Sequence, residues 1–171
     1  MNKSTVEQIR ERFDNDVERF SNLQTGQSAT VDAPLNLDLI AQAATANNPQ
    51  ATEVLDVGCG AGNYTLKLLQ TIPNFNVTLT DLSRPMLDRA TERISAVSSG
   101  QITTHQADIR ELSLPDNHFD IIVAAAVLHH LREEEEWDAV FSKLYQAIKP
   151  GGSLWISDMI QHSTPHIQAT G

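Results

Sequence analysis

Residues 54–64 constrain the fold of this chain most, because they contain the sequence VLDVGCGAGNY. Their first four residues are mainly apolar, which is typical of a strand buried on both faces of a parallel sheet. Gly58, Gly60 and Gly62 follow, and glycine permits positive φ angles and close approach of a ligand to the backbone. The helix predicted to begin at Asn63 would direct its positive dipole end toward that ligand. The stretch therefore predicts a strand, a ligand-binding loop and a helix.

Two further positions narrow the type of ligand. Asp81 ends the next apolar run, and a carboxylate there can accept hydrogen bonds from both vicinal hydroxyls of a ribose. The dinucleotide fingerprint G-x-G-x-x-G requires glycine at position 63, where this chain has Asn63. A glycine loop by itself is equally compatible with a tight turn that binds nothing. Together, the positions favour a nucleoside ligand without phosphates.

Residues 56–62 closely resemble the first motif of class I S-adenosylmethionine-dependent methyltransferases. Three further stretches match that family in the same order: TDLS at 80–83, ADI at 107–109 with FDIIV at 119–123, and KPGG at 149–152. The resemblance covers roughly residues 50–158. It implies S-adenosyl-L-methionine as the methyl donor and S-adenosyl-L-homocysteine as the product.

Strand and helix patterns alternate along the chain, which predicts an α/β fold with a doubly wound, mostly parallel sheet. This is the Rossmann-like methyltransferase fold that the resemblance implies. An amphipathic helix is predicted over residues 4–20, capped by Ser4 with Glu7 completing a capping box. The strands are predicted at 53–57, 76–80, 101–105, 119–125 and 153–157.

Three regions are expected along the chain. Residues 1–48 form a helical leader, which either packs against the sheet edge or covers the cofactor as a lid whose mobile part is residues 24–33. Residues 49–160 form the S-adenosylmethionine-binding core. Residues 161–171 are a polar tail and the expected truncation point, because the resembled fold usually continues with strands 6 and 7. A homodimer through the exposed sheet edge is an alternative way to cover that edge.

The resemblance implies a role for each matched position. The glycine loop, which includes Cys59, lies beside the methionine part of the cofactor, and Asp56 contacts or orders its amino group. Asp81 holds the ribose hydroxyls, and Asp108 bonds the adenine amino group. Leu82 and Met86 flank the adenine, Ile109 offers its backbone to an adenine ring nitrogen, and Ala125 offers its carbonyl near the methionine part. The complete predicted cofactor site is Asp56, Gly58, Cys59, Gly60, Gly62, Asp81, Leu82, Met86, Asp108, Ile109 and Ala125.

Methyl transfer from a sulfonium chiefly needs alignment and the exclusion of water. A general base is needed only if the acceptor is a poor nucleophile at neutral pH. His129 and His130 follow the fourth strand, at the edge where open α/β sheets bind ligands. His129 is the candidate base, although a structural or cofactor-shell role is favoured because the LHHL pattern recurs in the resembled family with different acceptors.

The amino-acid composition limits which partners the chain is expected to bind. The chain has 171 residues and a formal net charge of −10, which argues against binding nucleic acid or an anionic membrane. Its one cysteine cannot form an internal disulfide, which favours a cytoplasmic location. The four glutamates at 133–136 are interpreted as a helix start, and no metal is expected.

The function predicted from the sequence is methyl transfer to a small-molecule acceptor. Two alternatives stay open at this point. One is a relative that modifies the tRNA wobble uridine with a modified S-adenosylmethionine, and the other is a non-catalytic cofactor-binding module.

Overall fold

A computed structural model describes residues 4–21 and 33–158 of the chain. Five parallel strands form one sheet in the order β3-β2-β1-β4-β5. The strands are β1 Glu53–Val57, β2 Asn76–Asp81, β3 Ile102–Gln106, β4 Phe119–Ala125 and β5 Ile148–Ser157. The predicted doubly wound sheet is confirmed and is parallel throughout. The described residues contain no sixth or seventh strand, and the predicted tail at 161–171 lies outside them.

Helices connect the strands in the predicted alternation. They are α1 Val6–Asn15, α2 Val17–Ser21, α3 Ala33–Asn47, α4 Asn63–Leu68, α5 Arg84–Ser95 and α6 Glu134–Ala147, with a short 3₁₀ helix at Leu128–His130. Ser83 caps α5, because its hydroxyl accepts a hydrogen bond from the Met86 N–H at 3.3 Å. The glutamates at 134–136 occupy the first turn of α6, where the helix dipole favours them.

The apolar side chains of the central strands alternate between two cores. On one face of the sheet, Val54 packs in a cluster that includes Leu87 of α5 and Ala44 of α3. On the other face, Leu55 packs in a cluster that includes Leu144 of α6. The sheet is therefore covered on both faces, which is why its central strands are predominantly apolar.

The order of the strands determines where a ligand-binding crevice opens in the sheet. From β1 the chain proceeds outward through β2 and β3, and it then returns to place β4 and β5 on the other side of β1. The connections after β1 and β4 consequently leave in opposite directions. Such a reversal opens a crevice at the carboxyl edge of the sheet, where ligands bind in this class of fold.

Three local predictions differ from the structure. The capping box of α1 is formed by Thr5 and Gln8 rather than by Ser4 and Glu7, because the Thr5 hydroxyl accepts the Gln8 N–H and the Gln8 side chain accepts the Thr5 N–H. The leader helix is interrupted at Asp16 and continues as α2. Strand β5 begins at Ile148, before the Pro-Gly-Gly segment, and its pairing with β4 is irregular there.

Asp120 joins three strands at the amino end of the sheet. Its Oδ2 accepts hydrogen bonds from the Thr52 and Glu53 N–H groups at 2.9 Å each, and Lys149 Nζ of β5 lies 3.0 Å from both carboxylate oxygens. Burial alone would raise the Asp120 pKa, but the Thr52, Lys149 and Glu53 donors outweigh burial and lower it.

We therefore expect Asp120→Ala to lower the free energy of unfolding by about 1–3 kcal/mol at neutral pH, because the N–H groups of Thr52 and Glu53 lose their acceptor. The folded-state pKa is depressed, so this stabilisation is present above the unfolded-state pKa and is lost as the pH falls through the folded-state value. Urea unfolding at neutral and acidic pH measures both effects. Asp116→Ala, in the exposed turn before β4, is the control. Equal losses in the two variants would contradict the role of Asp120.

Candidate functional site

A cavity of about 480 Å³ opens at the carboxyl edge of the sheet, between the ends of β1 and β4. Its size is typical of a site for a small molecule. The structure brings nearly the whole predicted site to this cavity. The predicted residues that line it are Asp56, Gly58, Cys59, Gly60, Asp81, Leu82, Met86, Asp108, Ile109, Ala125 and His129.

The three loop glycines serve different purposes. All have positive φ angles: +64° at Gly58, +50° at Gly60 and +81° at Gly62. A Cβ at Gly58 would lie 2.6 Å from Val127 Cγ2, and one at Gly62 would lie 3.1 Å from Ile94 Cδ1. Gly60 has nothing within 4 Å of the corresponding position. Gly62 is not among the residues lining the cavity and allows close packing on α5, whereas Gly60 leaves open space beside the backbone.

The Asp81 carboxylate connects this loop to the start of α5. Its Oδ2 accepts the Gly60 N–H at 2.8 Å and its Oδ1 accepts the Ser83 N–H at 2.9 Å. Burial raises the Asp81 pKa, and these backbone donors oppose the rise. Each carboxylate oxygen retains lone-pair capacity for a further hydroxyl donor.

Asp56, next to the end of β1, is 2% exposed and accepts a hydrogen bond from Thr65 Oγ1 at 2.7 Å. Burial raises the Asp56 pKa to about 6, although the Thr65 hydrogen bonds lower it in part. The nearby Asp81 charge adds to the rise. A carboxylate in this setting is stabilised by any cation that enters the cavity.

Asp108 is engaged by Arg110, a residue that the sequence did not single out. Arg110 Nε donates to Asp108 Oδ1 at 2.9 Å, Nη2 donates to Oδ2 at 2.6 Å, and Nη1 donates to Glu136 of α6 at 2.8 Å. Burial would raise the Asp108 pKa, but the hydrogen bonds and charge of Arg110 lower it. Lys143 of α6 donates to the carbonyls of Ile109 and Arg110 at 2.7 and 2.9 Å. The segment predicted to contact adenine is thus held against α6.

The leader helices form the outer wall of the cavity. Val6, Ile9, Phe13 and Phe20 all line it. Polar contacts hold the helices on both sides of the cavity. Ser83 Oγ donates to Asp14 at 2.5 Å, and Asn63 donates to the Phe20 carbonyl at 3.2 Å. Arg89 pairs with Glu18, and Arg132 donates to the Ser4 carbonyl. The predicted mobile loop at 24–33 lies outside the described residues except for Ala33.

His129 and Asp158 meet where β4 and β5 end. The distance from His129 Nδ1 to Asp158 Oδ1 is 2.6 Å, and the His129 N–H donates to Asp158 Oδ2 at 2.9 Å. Both residues line the cavity. Asp158 is not among the site residues predicted from the sequence. Its position directly after β5 places it at this edge of the sheet.

Most of the charged side chains that line the cavity are acidic. Asp56, Asp81, Asp108 and Asp158 line it, and of the arginines and lysines in the described part of the chain only Arg12 and Arg110 do so. Burial also raises the Cys59 pKa, so the thiol stays protonated and is no nucleophile. This charge distribution favours a cationic ligand and disfavours phosphates.

Within residues 4–21 and 33–158, no group of three or more His, Cys, Asp or Glu side chains could hold a metal ion. None of the helices there is long and apolar enough to cross a membrane.

The fold and the site define a Rossmann-like domain with a crevice suited to a nucleoside. Residues 54–152 match the family model of the methyltransferase domain, so the chain belongs to that family. It is 36% identical over 110 residues to an uncharacterised methyltransferase of Mycobacterium tuberculosis, covering 64% of this chain and 52% of that protein. It is 37% identical over 105 residues to the ubiquinone/menaquinone biosynthesis C-methyltransferase of Pseudomonas fluorescens, covering 60% of this chain and 40% of that enzyme.

The similarity extends to solved structures. The N-methyltransferase NodS of Bradyrhizobium japonicum, in complex with S-adenosyl-L-homocysteine, superposes with a TM-score of 0.68 at 22% identity, covering 84% of this chain and 71% of that one. This likeness supports the fold. The chain spans about half the length of the curated relatives that it matches.

Arg110→Ala should raise the Asp108 pKa, because burial then acts without the guanidinium that opposes it. Carboxyl ¹³C NMR titration of Asp108 measures the change. Arg84→Ala removes an exposed ion pair with Asp88 on α5 and is the matched control, for which the Asp108 titration should not move. An unchanged Asp108 titration in Arg110→Ala would contradict the proposed balance of burial and ion pairing.

Proposed function

We propose that this chain is the cofactor-binding part of an S-adenosylmethionine-dependent methyltransferase that acts on a small-molecule acceptor. The observation that carries the proposal is an acid-lined crevice beside Gly60, where the backbone leaves open space for a ligand. S-adenosylmethionine supplies an electrophilic methyl group on a positively charged sulfonium. Its ammonium and sulfonium match the acidic lining, and it contains no phosphate.

The residues present fit this cofactor. Asp81 would accept hydrogen bonds from the ribose hydroxyls while it holds Gly60. Asp56 would face the ammonium group of the methionine part. Leu82 and the buried Met86 would supply the apolar surface against adenine. Asp108 would share its oxygens between Arg110 and the adenine amino group.

We further propose that the leader, residues 1–48, acts as the lid over this site. Its apolar side chains close the outer side of the cavity, and its polar contacts reach both walls. A lid of this kind excludes water, which competes with the acceptor for the methyl group. The apolar wall also favours a small organic acceptor over a charged polymer, consistent with the net charge of −10.

Calorimetry with S-adenosylmethionine, S-adenosylhomocysteine and NAD tests the cofactor assignment. We expect the two adenosyl ligands to bind and NAD to bind weakly or not at all, since its pyrophosphate would enter an acidic cavity. Binding of NAD alone would overturn the proposed function.

Asp81→Asn should weaken S-adenosylmethionine binding by about 10- to 100-fold, the equivalent of about 1.5–3 kcal/mol for a hydrogen bond to a charged group. The variant should also lose about 1–3 kcal/mol of stability, because asparagine has a single acceptor oxygen whereas the Gly60 and Ser83 N–H groups each need one. Asp88→Asn, on the exposed face of α5, is the control that should bind as the wild type does. Unchanged affinity in Asp81→Asn would refute the ribose assignment.

Cofactor affinity should rise as the pH is raised through about 6, because Asp56 must be ionised to attract the ammonium group and its pKa is raised to about 6. Below that pKa, the dissociation constant should increase by about tenfold per pH unit. Calorimetry between about pH 5 and 7 measures the slope. The slope should become shallower in Asp56→Asn. A flat wild-type profile would contradict the assignment of Asp56.

A further inference from the structure

We propose that His129 is the general base of the methyl-transfer reaction and that Asp158 positions it. The inference rests on the proposed function and adds a class of acceptor. The attacking atom of the acceptor would carry a proton that must leave during transfer, as in a hydroxyl or an enol. An acceptor that is already a strong neutral nucleophile would have no use for this pair.

Asp158 holds His129 at two points. One carboxylate contacts both the backbone N–H and the ring Nδ1 of the same histidine, at 2.9 and 2.6 Å. A carboxylate that served only to satisfy the turn would need the backbone contact alone. The second contact fixes the orientation of the imidazole. It also favours the tautomer with the proton on Nδ1, because a carboxylate only accepts hydrogen bonds. In that tautomer, Nε2 is the basic nitrogen.

The fold places this pair at the edge of the cavity. His129 lies in the 3₁₀ helix that follows β4, anchored by the fully buried Leu128, and Asp158 directly follows β5. Adjacent parallel strands thus bring the two side chains to the carboxyl edge of the sheet. The His129 side chain is 27% exposed and that of Asp158 is 12% exposed. Both line the same cavity as the predicted cofactor residues.

Titratable side chains lie beside the His129 ring. The His130 ring lies 4.0 Å away between centroids, and Asp158 faces the ring from β5. Asp56 lines the same cavity from β1. The imidazolium formed during the reaction would therefore have a carboxylate partner at Nδ1.

A lone pair of a hydroxyl oxygen, or the π electron pair of an enol, forms the new bond to the methyl carbon. The bond between that carbon and sulfur breaks, and its electron pair stays on sulfur. The hydroxyl proton of the acceptor moves to His129 Nε2, and the Nδ1 proton stays on the imidazole ring, hydrogen-bonded to Asp158. Exchange with solvent then removes the proton from the imidazolium.

The test combines binding, turnover and NMR on His129→Gln, Asp158→Asn and a control, His118→Gln. His118 lies in the turn before β4, at the opposite edge of the sheet. Turnover is followed with methyl-labelled S-adenosylmethionine and an extract of small metabolites. We expect His129→Gln to retain cofactor binding and to lose about 10²-fold or more in turnover, the usual contribution of a general base. The control should equal the wild type.

The NMR measurement separates positioning from mere folding. Long-range ¹H–¹⁵N spectra at about pH 8 report which ring nitrogen is protonated. Wild-type His129 should carry its proton on Nδ1. In Asp158→Asn the side-chain amide can donate to Nδ1, so the proton should move to Nε2 and turnover should fall.

Three results would overturn the inference alone: wild-type turnover in His129→Gln, an Nε2–H tautomer in the wild type, or loss of cofactor binding in His129→Gln. The last result would assign His129 to the cofactor shell. Failure of the wild type itself to bind S-adenosylmethionine or to turn over would instead overturn the proposed function, and with it the role of this pair.

Discussion

The carboxylate of Asp81 determines the shape of the site, because it holds two segments that are distant in sequence. It accepts the Gly60 N–H from the loop after β1 and the Ser83 N–H at the start of α5. Ser83 in turn donates to Asp14 of the leader. Loop, helix cap and leader thus depend on one partly buried charge. The backbone donors oppose the rise in the Asp81 pKa that burial causes.

The clustering of acids around one cavity is unfavourable for the folded protein by itself. Burial and the neighbouring Asp81 charge raise the Asp56 pKa to about 6, and no cation of the described chain pairs with Asp56. Perturbed carboxylates in a cleft are characteristic of functional sites. Asp108 is the contrast, since Arg110 satisfies it within the protein. Asp56 lies at the end of the cavity that we assign to the cationic part of the cofactor.

The leader connects cofactor binding to the choice of acceptor. Its helices supply the apolar wall, whereas the strand ends supply the polar one. The His129–Asp158 pair and the leader both line the cavity. The acceptor would therefore bind between an apolar surface and a candidate base.

The sequence by itself determined the fold class and the alternation of strands and helices, and ten of the eleven predicted cofactor residues line the cavity. Local patterns suffice for these features, because strand and helix periodicities, the glycine loop and Asp81 are each read within a few neighbouring residues. Prediction was less accurate where neighbouring residues offered competing signals. The capping box of α1 is formed by Thr5 and Gln8, one residue after the predicted pair Ser4 and Glu7.

Only the tertiary structure decided which partners the functional groups have. The pairing of Arg110 with Asp108 and Glu136 depends on the packing of α6. The pairing of His129 with Asp158 requires β4 and β5 to be neighbours, and the packing of Gly62 on α5 requires the helix to lie beneath the loop. These contacts join residues on different elements. The sequence places such residues at the same edge of the sheet, but distances and charges across that edge are set by how the elements pack.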